Sequence, residues 1–204
     1  EDPLYLSVVL STYNDEKYIA ESINSILNQT YPYFEFIIVN DGSTDNTLSI
    51  IKSFDDPRIR LIDKPNTGLI DSLNIVLKSD TKVVVCLETM AGKGTELGRN
   101  FEEIKTIIDG VKLKDKIGVC MDTCHLNDAG YDLENFDQIL NEFDEIIGID
   151  KIACIHINDS KNEKGMKKDR HENFGFGYIG FESLINIIYN KRIENIPKIL
   201  ETPW

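Results

Sequence analysis

Gly118-Val-Cys-Met-Asp-Thr-Cys-His125 is the stretch on which the fold turns. An apolar, strand-like run delivers an acid, Asp122, and an imidazole follows three residues later. The same pattern stands on either side. Val83-Val-Val-Cys-Leu runs into Glu88, and Ile152-Ala-Cys-Ile runs into His156. The intervals 88→122 and 122→156 are both 34 residues, the length of one strand-plus-helix unit. Further on, Asp169-Arg-His171 sits in a polar loop and Lys198-Ile-Leu runs into Glu201. All three histidines and four acids thus gather where strands end. In parallel α/β proteins those ends are where ligands and metals collect. Imidazoles and carboxylates together suit zinc or a similar divalent ion.

Working outward, strands are expected at 7–11, 36–40, 58–62, 83–88, 117–122, 152–157 and 198–201, with a weaker one near 172–179. Helical periodicity fills the gaps at 16–29, 45–54, 68–78, 99–109, 135–147 and 181–190. Ser43, Thr44 and Asp45 supply cap-type residues ahead of the second helix. Strands alternating with helices predict an α/β fold with a parallel sheet.

The 204 residues suffice for a proper core, and 41% hydrophobic with 28% charged residues is ordinary for a globular protein. No apolar run approaches the roughly 18 residues of a membrane span, and no signal peptide opens the chain. It starts at Glu1 and stops at Trp204 just after a strand-like run, as expected of an excised piece. Cys86, Cys120, Cys124 and Cys154 form no C-x-x-C pair, and three lie inside apolar runs. Free thiols in a cytoplasmic location are the expectation. The net charge is −13, a surface that repels nucleic acid. Two bound divalent ions would return positive charge locally. Lys161, Lys164, Lys167, Lys168 and Arg170 form a basic stretch beside the Asp169–His171 triplet.

Residues 7–79 resemble the start of a family 2 glycosyltransferase. The carrying stretches are Ser7-Val-Val-Leu-Ser-Thr-Tyr-Asn14, Ile37-Ile-Val-Asn-Asp-Gly-Ser-Thr-Asp-Asn-Thr47, Pro65-Asn-Thr-Gly68 and Leu73-Asn74. The resemblance implies that Asp41 matches the acid that contacts the nucleotide of a sugar donor. A carboxylate beside a glycine turn and a capped helix suits the N–H of a base. The D-x-D metal-diphosphate motif that should follow occurs nowhere in the chain. A partial nucleotide pocket without transfer chemistry is what remains.

Residues 81–204 resemble endonuclease IV, a zinc-dependent (βα)8-barrel nuclease that incises DNA at abasic sites. The carrying stretches are Cys86-Leu-Glu-Thr-Met-Ala-Gly-Lys-Gly-Thr-Glu-Leu-Gly98, Gly118 to His125, His156-Ile-Asn-Asp-Ser-Lys161, Asp169-Arg-His-Glu-Asn173 and Ile199-Leu-Glu-Thr-Pro203. By that similarity Glu88, Asp122, His156 and Glu201 look like ligands of one zinc, and His125, Asp169 and His171 of another. Glu88 and Glu201 are the implied catalytic carboxylates. The family's third zinc uses two histidines from earlier strands, with Glu88 as the bridge. This chain has no histidine before His125, so that site is incomplete. Because the attacking hydroxide in such sites arises between metals, its loss should lower the rate heavily.

Neither resemblance spans the chain, so a recombined or engineered chimera is the simplest origin. Residues 1–80 would be a glycosyltransferase-like βαβαβα segment and residues 81–204 an endonuclease IV-like half barrel, merged into one domain. Three units from one parent and five strands from the other restore a (βα)8-like barrel. Its size lies at the low end of the barrel range, roughly 200 residues upward. Strand 58–62 should then pair with 83–88. The alternative is an open doubly wound sheet packed on a half barrel, in which 83–88 pairs with 7–11. The expected function is a zinc-binding phosphodiesterase fragment acting on abasic DNA with impaired activity. The alternatives are a folded chimera without catalysis and partial nucleotide-sugar binding.

Overall fold

The computed structural model describes residues 6–78 and 84–202. The chain divides into two compact units, Glu1–Val83 with Val111–Leu113, and Val84–Gly110 with Lys114–Trp204. Both are α/β with parallel principal sheets.

In the first unit the order is β1 (Leu6–Thr12), α1 (Ile19–Leu27), β2 (Phe34–Asp41), α2 (Thr47–Lys52), β3 (Ile59–Lys64) and α3 (Leu69–Lys78). The strands form one parallel sheet in the order β1–β2–β3. Side chains alternate across a strand, and the sequence of β2 uses both faces. Phe36 and Ile38 pack with Ile19 and Ile23 of α1 and Ile51 of α2. Ile37 and Val39 pack instead with Val76 of α3. Thus α1 and α2 cover one face and α3 the other.

In the second unit the order is β4 (Val85–Glu88), α4 (Phe101–Gly110), β5 (Ile117–Asp122), α5 (Thr123–Ala129), α6 (Phe136–Ile146), β6 (Ile152–His156), β7 (Asp159–Ser160), β8 (His171–Glu172), α7 (Phe181–Ile188) and β9 (Lys198–Ile199). Its main sheet is β4–β5–β6–β9, parallel throughout. All six residues of β5 are buried, as a central strand covered on both faces requires. Phe101 of α4 meets Phe143 of α6 edge to face at 5.1 Å. A two-residue antiparallel pair, β7–β8, closes the base of the long 160–171 loop.

Neither expected pairing of the fourth strand is among the described ladders: β4 pairs with β5 alone, and β3 with β2 alone. The reason lies in the first unit. A barrel keeps its helices on one face of the sheet, whereas α3 has crossed to the face opposite α1 and α2, as an open doubly wound sheet does at its reversal. β3 also carries the charged pair Arg60 and Asp63, a composition that protects sheet edges from pairing. The weak strand near 172–179 shrinks to His171–Glu172, and the residues after it form a loop. Helix α5 was not expected at all. Asp122 caps it by accepting from the His125 N–H at 2.9 Å, and Gly130 ends it with φ 114°. Only glycine adopts that conformation without strain.

Candidate metal centre

Glu88, Asp122 and His156 terminate β4, β5 and β6, three neighbouring parallel strands. Asp122 and His156 are direct partners across the β5–β6 ladder. Glu201 follows β9 by two residues. Their ligand atoms form one group within 4.8 Å of one another. The Nδ1 of His156 stands 2.8 Å from Glu201 Oε2, 3.2 Å from Glu88 Oε1 and 3.6 Å from Asp122 Oδ2. Three carboxylates therefore crowd a single ring nitrogen, which can bond to only one of them at a time.

His125, Asp169 and His171 form a second group within the same limit. His125 rides on the first turn of α5, the loop before β8 presents Asp169, and His171 opens β8 itself. His125 Nε2 lies 3.1 Å from Asp169 Oδ1, and His171 Nε2 lies 3.5 Å from the same oxygen. The other nitrogens are tied to backbone carbonyls: His125 Nδ1 to Thr89 O at 2.7 Å and His171 Nδ1 to Glu201 O at 3.0 Å. With the N–H on Nδ1 donating to a carbonyl, each ring offers Nε2 as a lone pair, the arrangement that outer contacts impose on metal-binding histidines. The groups adjoin. Glu88 Oε1 is also 3.5 Å from His125 Nδ1, and Asp122 Oδ2 is 3.8 Å from His171 Nε2. All seven residues singled out from the sequence are brought together within the second unit.

Charge and burial agree with a cation site. Asp122 is wholly buried. Burial opposes its ionisation, but the neighbouring imidazole of His156 and the charge of His125 outweigh it and hold its carboxyl below the ordinary value. His156 is raised far above an ordinary imidazole by Asp122 first, then by the Cys120 thiol and Glu88. Burial would lower His125, yet the charges of Asp122, Asp169 and Glu88 together raise it. The carboxylates thus favour positive charge on His125 and His156, as they would favour a cation placed among them. His171 Nε2 is buried and makes no hydrogen bond, a costly state for a polar atom unless something else uses it. Nitrogen and oxygen donors of this kind fit a divalent metal.

Residues not singled out from the sequence hold the seven in place. Asn158 donates to Asp122 Oδ2 at 2.6 Å and to Glu201 Oε2 at 3.2 Å. The Thr89 hydroxyl accepts the Asp122 N–H at 2.9 Å. Asp128, wholly buried, accepts from the Ser160 hydroxyl at 2.7 Å, the Asn162 amide at 2.8 Å and the Asp169 N–H at 2.9 Å. Asp159 accepts from the N–H groups of Gly175, Gly177 and Ile179 at 2.9–3.1 Å. The available signal was their position, one to three residues from a ligand. The five basic residues of the 160–171 loop are all exposed.

Asp41 lies in the first unit, at the end of β2. Its carboxylate accepts from the Lys64 ammonium, the Thr67 N–H at 2.9 Å and the Gly68 N–H at 3.0 Å. Burial works against ionisation there, but these donors outweigh it and lower the pKa. The carboxylate thereby fastens the Pro65–Gly68 turn that leads into α3.

The comparisons with known proteins give two family matches that overlap across residues 63–88. A model of the xylose isomerase-like TIM barrel family matches residues 63–204, and a model of glycosyl transferase family 2 matches residues 7–88. The chain is 56% identical over 144 residues to proteins named probable endonuclease 4 in Staphylococcus aureus strains JH9 and Newman. That match takes in 70% of this chain but 49% of theirs, so the chain spans about half the length of these relatives. The fold is also similar to the crystal structure of endonuclease IV from Thermus thermophilus. There the TM-score is 0.60 at 20% identity, covering 98% of this chain and 93% of that one. The architecture is therefore that of an α/β, TIM-barrel-like fold whose described ladders do not close. With strands, site and family match in agreement, the chain belongs to the xylose isomerase-like TIM barrel family.

Proposed function

We propose that residues 84–202 carry the metal centre of an endonuclease IV-type phosphodiesterase, directed at abasic DNA and impaired in turnover. The observation that carries this reading is the convergence of all seven side chains at strand ends, with the buried His171 Nε2 left without a hydrogen bond. Zinc suits the donor set, up to two ions: one held by Glu88, Asp122, His156 and Glu201, the other by His125, Asp169 and His171. A bound pair would polarise the phosphodiester and acidify a water molecule. The chain's own residues supply the rest. Glu88 and Glu201 have side chains 36% and 44% exposed, so they face incoming substrate and are the assigned catalytic carboxylates. Glu88 touches both histidine groups and fixes their spacing, while Asn158 orients Asp122 and Glu201. The exposed lysines of the 160–171 loop offer the positive charge that a phosphate backbone needs. Four free cysteines support a reducing compartment such as the cytoplasm. Among the described residues no helix is long and apolar enough to cross a membrane.

Impairment follows from the absence of any histidine before His125, because the resemblance implies a third zinc held by two earlier histidines. Incision of an abasic oligonucleotide with added zinc tests the reading. Feeble cleavage, abolished by Glu201→Gln, is expected, and metal-independent cleavage would overturn it. A second reading, a recombined chain that folds without catalysing, is favoured by two family matches, at 7–88 and 63–204, that share only residues 63–88. Under it, zinc binds but no cleavage is seen. Partial nucleotide binding at Asp41 is a separate proposal for the first unit, tested by nucleotide titration against Asp41→Asn.

A further inference from the structure

One pleat repeat below the carboxylate-and-histidine ends of β4, β5 and β6 stand Cys86, Cys120 and Cys154, each two residues before a ligand on the same strand face. Cys120 and Cys154 are direct partners across the β5–β6 ladder. Their sulfurs and a nitrogen of His156 lie within 4.8 Å of one another. Cys120 contacts both Cys154 and His156, and Cys86, which is exposed, contacts Cys154. Three thiols and an imidazole thus form a floor beneath the upper centre, and Cys86 gives it an opening.

We propose that Cys120, Cys154 and His156 form a second, soft-metal site that takes a thiophilic cation such as Cd²⁺. Sulfur ligands select soft ions where carboxylates do not, and ligand atoms this close together are within reach of one ion, since even the smaller zinc ion bonds sulfur at about 2.3 Å. Binding exchanges two thiol protons, released to solvent, for one divalent cation, so two thiolates balance its charge. The site does not depend on the nuclease reading. It does share His156 with the upper centre, so a thiophilic ion draws that imidazole away from the carboxylates.

Titration of the reduced, intact chain with CdCl2 tests this, read by thiolate-to-cadmium ultraviolet absorption and by mass-spectrometric mapping of thiol alkylation. The expected result is a charge-transfer band saturating near one ion per chain, with alkylation of Cys120 and Cys154 slowed roughly tenfold or more. Cys120→Ala and Cys154→Ala should lose the band. Glu88→Gln and Glu201→Gln should keep it, which separates this proposal from the fate of the upper centre. Absence of the band, its survival in the double cysteine variant, or protection confined to Cys124 would overturn the assignment. If the cysteine variants fail to fold, the alkylation map of the unaltered chain decides in the same two directions.

Discussion

Asp128 is not itself assigned to metal, yet it organises the loop that leads to two of the ligands and binds the backbone of one, Asp169. Its carboxylate collects Ser160, Asn162 and the Asp169 N–H inside a fully buried site. Asp128→Ala would leave those donors unpaired, at about 1–3 kcal/mol for each one that stays buried. It should weaken zinc binding by roughly 10–100-fold, the usual effect of losing an outer partner. Calorimetric zinc titration checks this, and unchanged affinity would show that the loop holds itself. The site's own charges set a pH dependence. Asp122 has a lowered pKa, so its contribution to stability is present above its unfolded value of about 3.8 and fades as pH falls below it. His125 and His156 are raised, so theirs is complete below about 6.5 and is lost as pH rises through their folded values. Metal-free protein should therefore melt lower as pH rises into the alkaline range. Added zinc should reverse that trend and release protons at pH 7, because metal needs neutral imidazoles. Thermal melts across pH with and without zinc, together with calorimetry in buffers of different ionisation enthalpy, measure both effects.

At the scale of elements, the loop after β8 depends on backbone close to the Asp159 carboxylate. A Cβ at Gly177 would be driven into the Ser160 carbonyl and that carboxylate. Gly177→Ala should cost about 2–4 kcal/mol and is read by chemical denaturation. A loss under about 0.5 kcal/mol, the range of an ordinary surface change, would mean the loop shifts freely. How much of this was legible depends on the kind of signal. Strands such as Ile117–Asp122 follow from apolar runs, and the metal candidates follow because each run ends in an acid or imidazole. Helix α5 was legible too, through the Asp122 cap and Gly130, but the run Met121-Asp-Thr-Cys-His reads first as a strand end. The two-residue β7–β8 pair carries no periodicity, since its pairing is imposed by Asp128 and Asp159 at long range. The side on which α3 packs was not legible, because Leu69–Lys78 has the same amphipathic pattern for either face of the sheet.

For the molecule as a whole, charge weighs on function. With −13 spread over the chain, long-range forces oppose a polyanion, and the exposed basic loop and bound cations would have to offset them locally. DNA association should therefore be weak and fall steeply with added salt. A flat salt profile would exclude phosphate contacts by the lysine loop. The assignment of divalent metal to seven side chains from strand ends and one loop underlies all of these expectations. Metal content of the purified, intact chain after zinc loading and exhaustive dialysis tests it most directly, alongside His125→Ala and His156→Ala. The account predicts about two zinc ions per chain, about one in each variant, with folding retained by circular dichroism. Zinc absent from the unaltered chain, or retained in full by both variants, would contradict it.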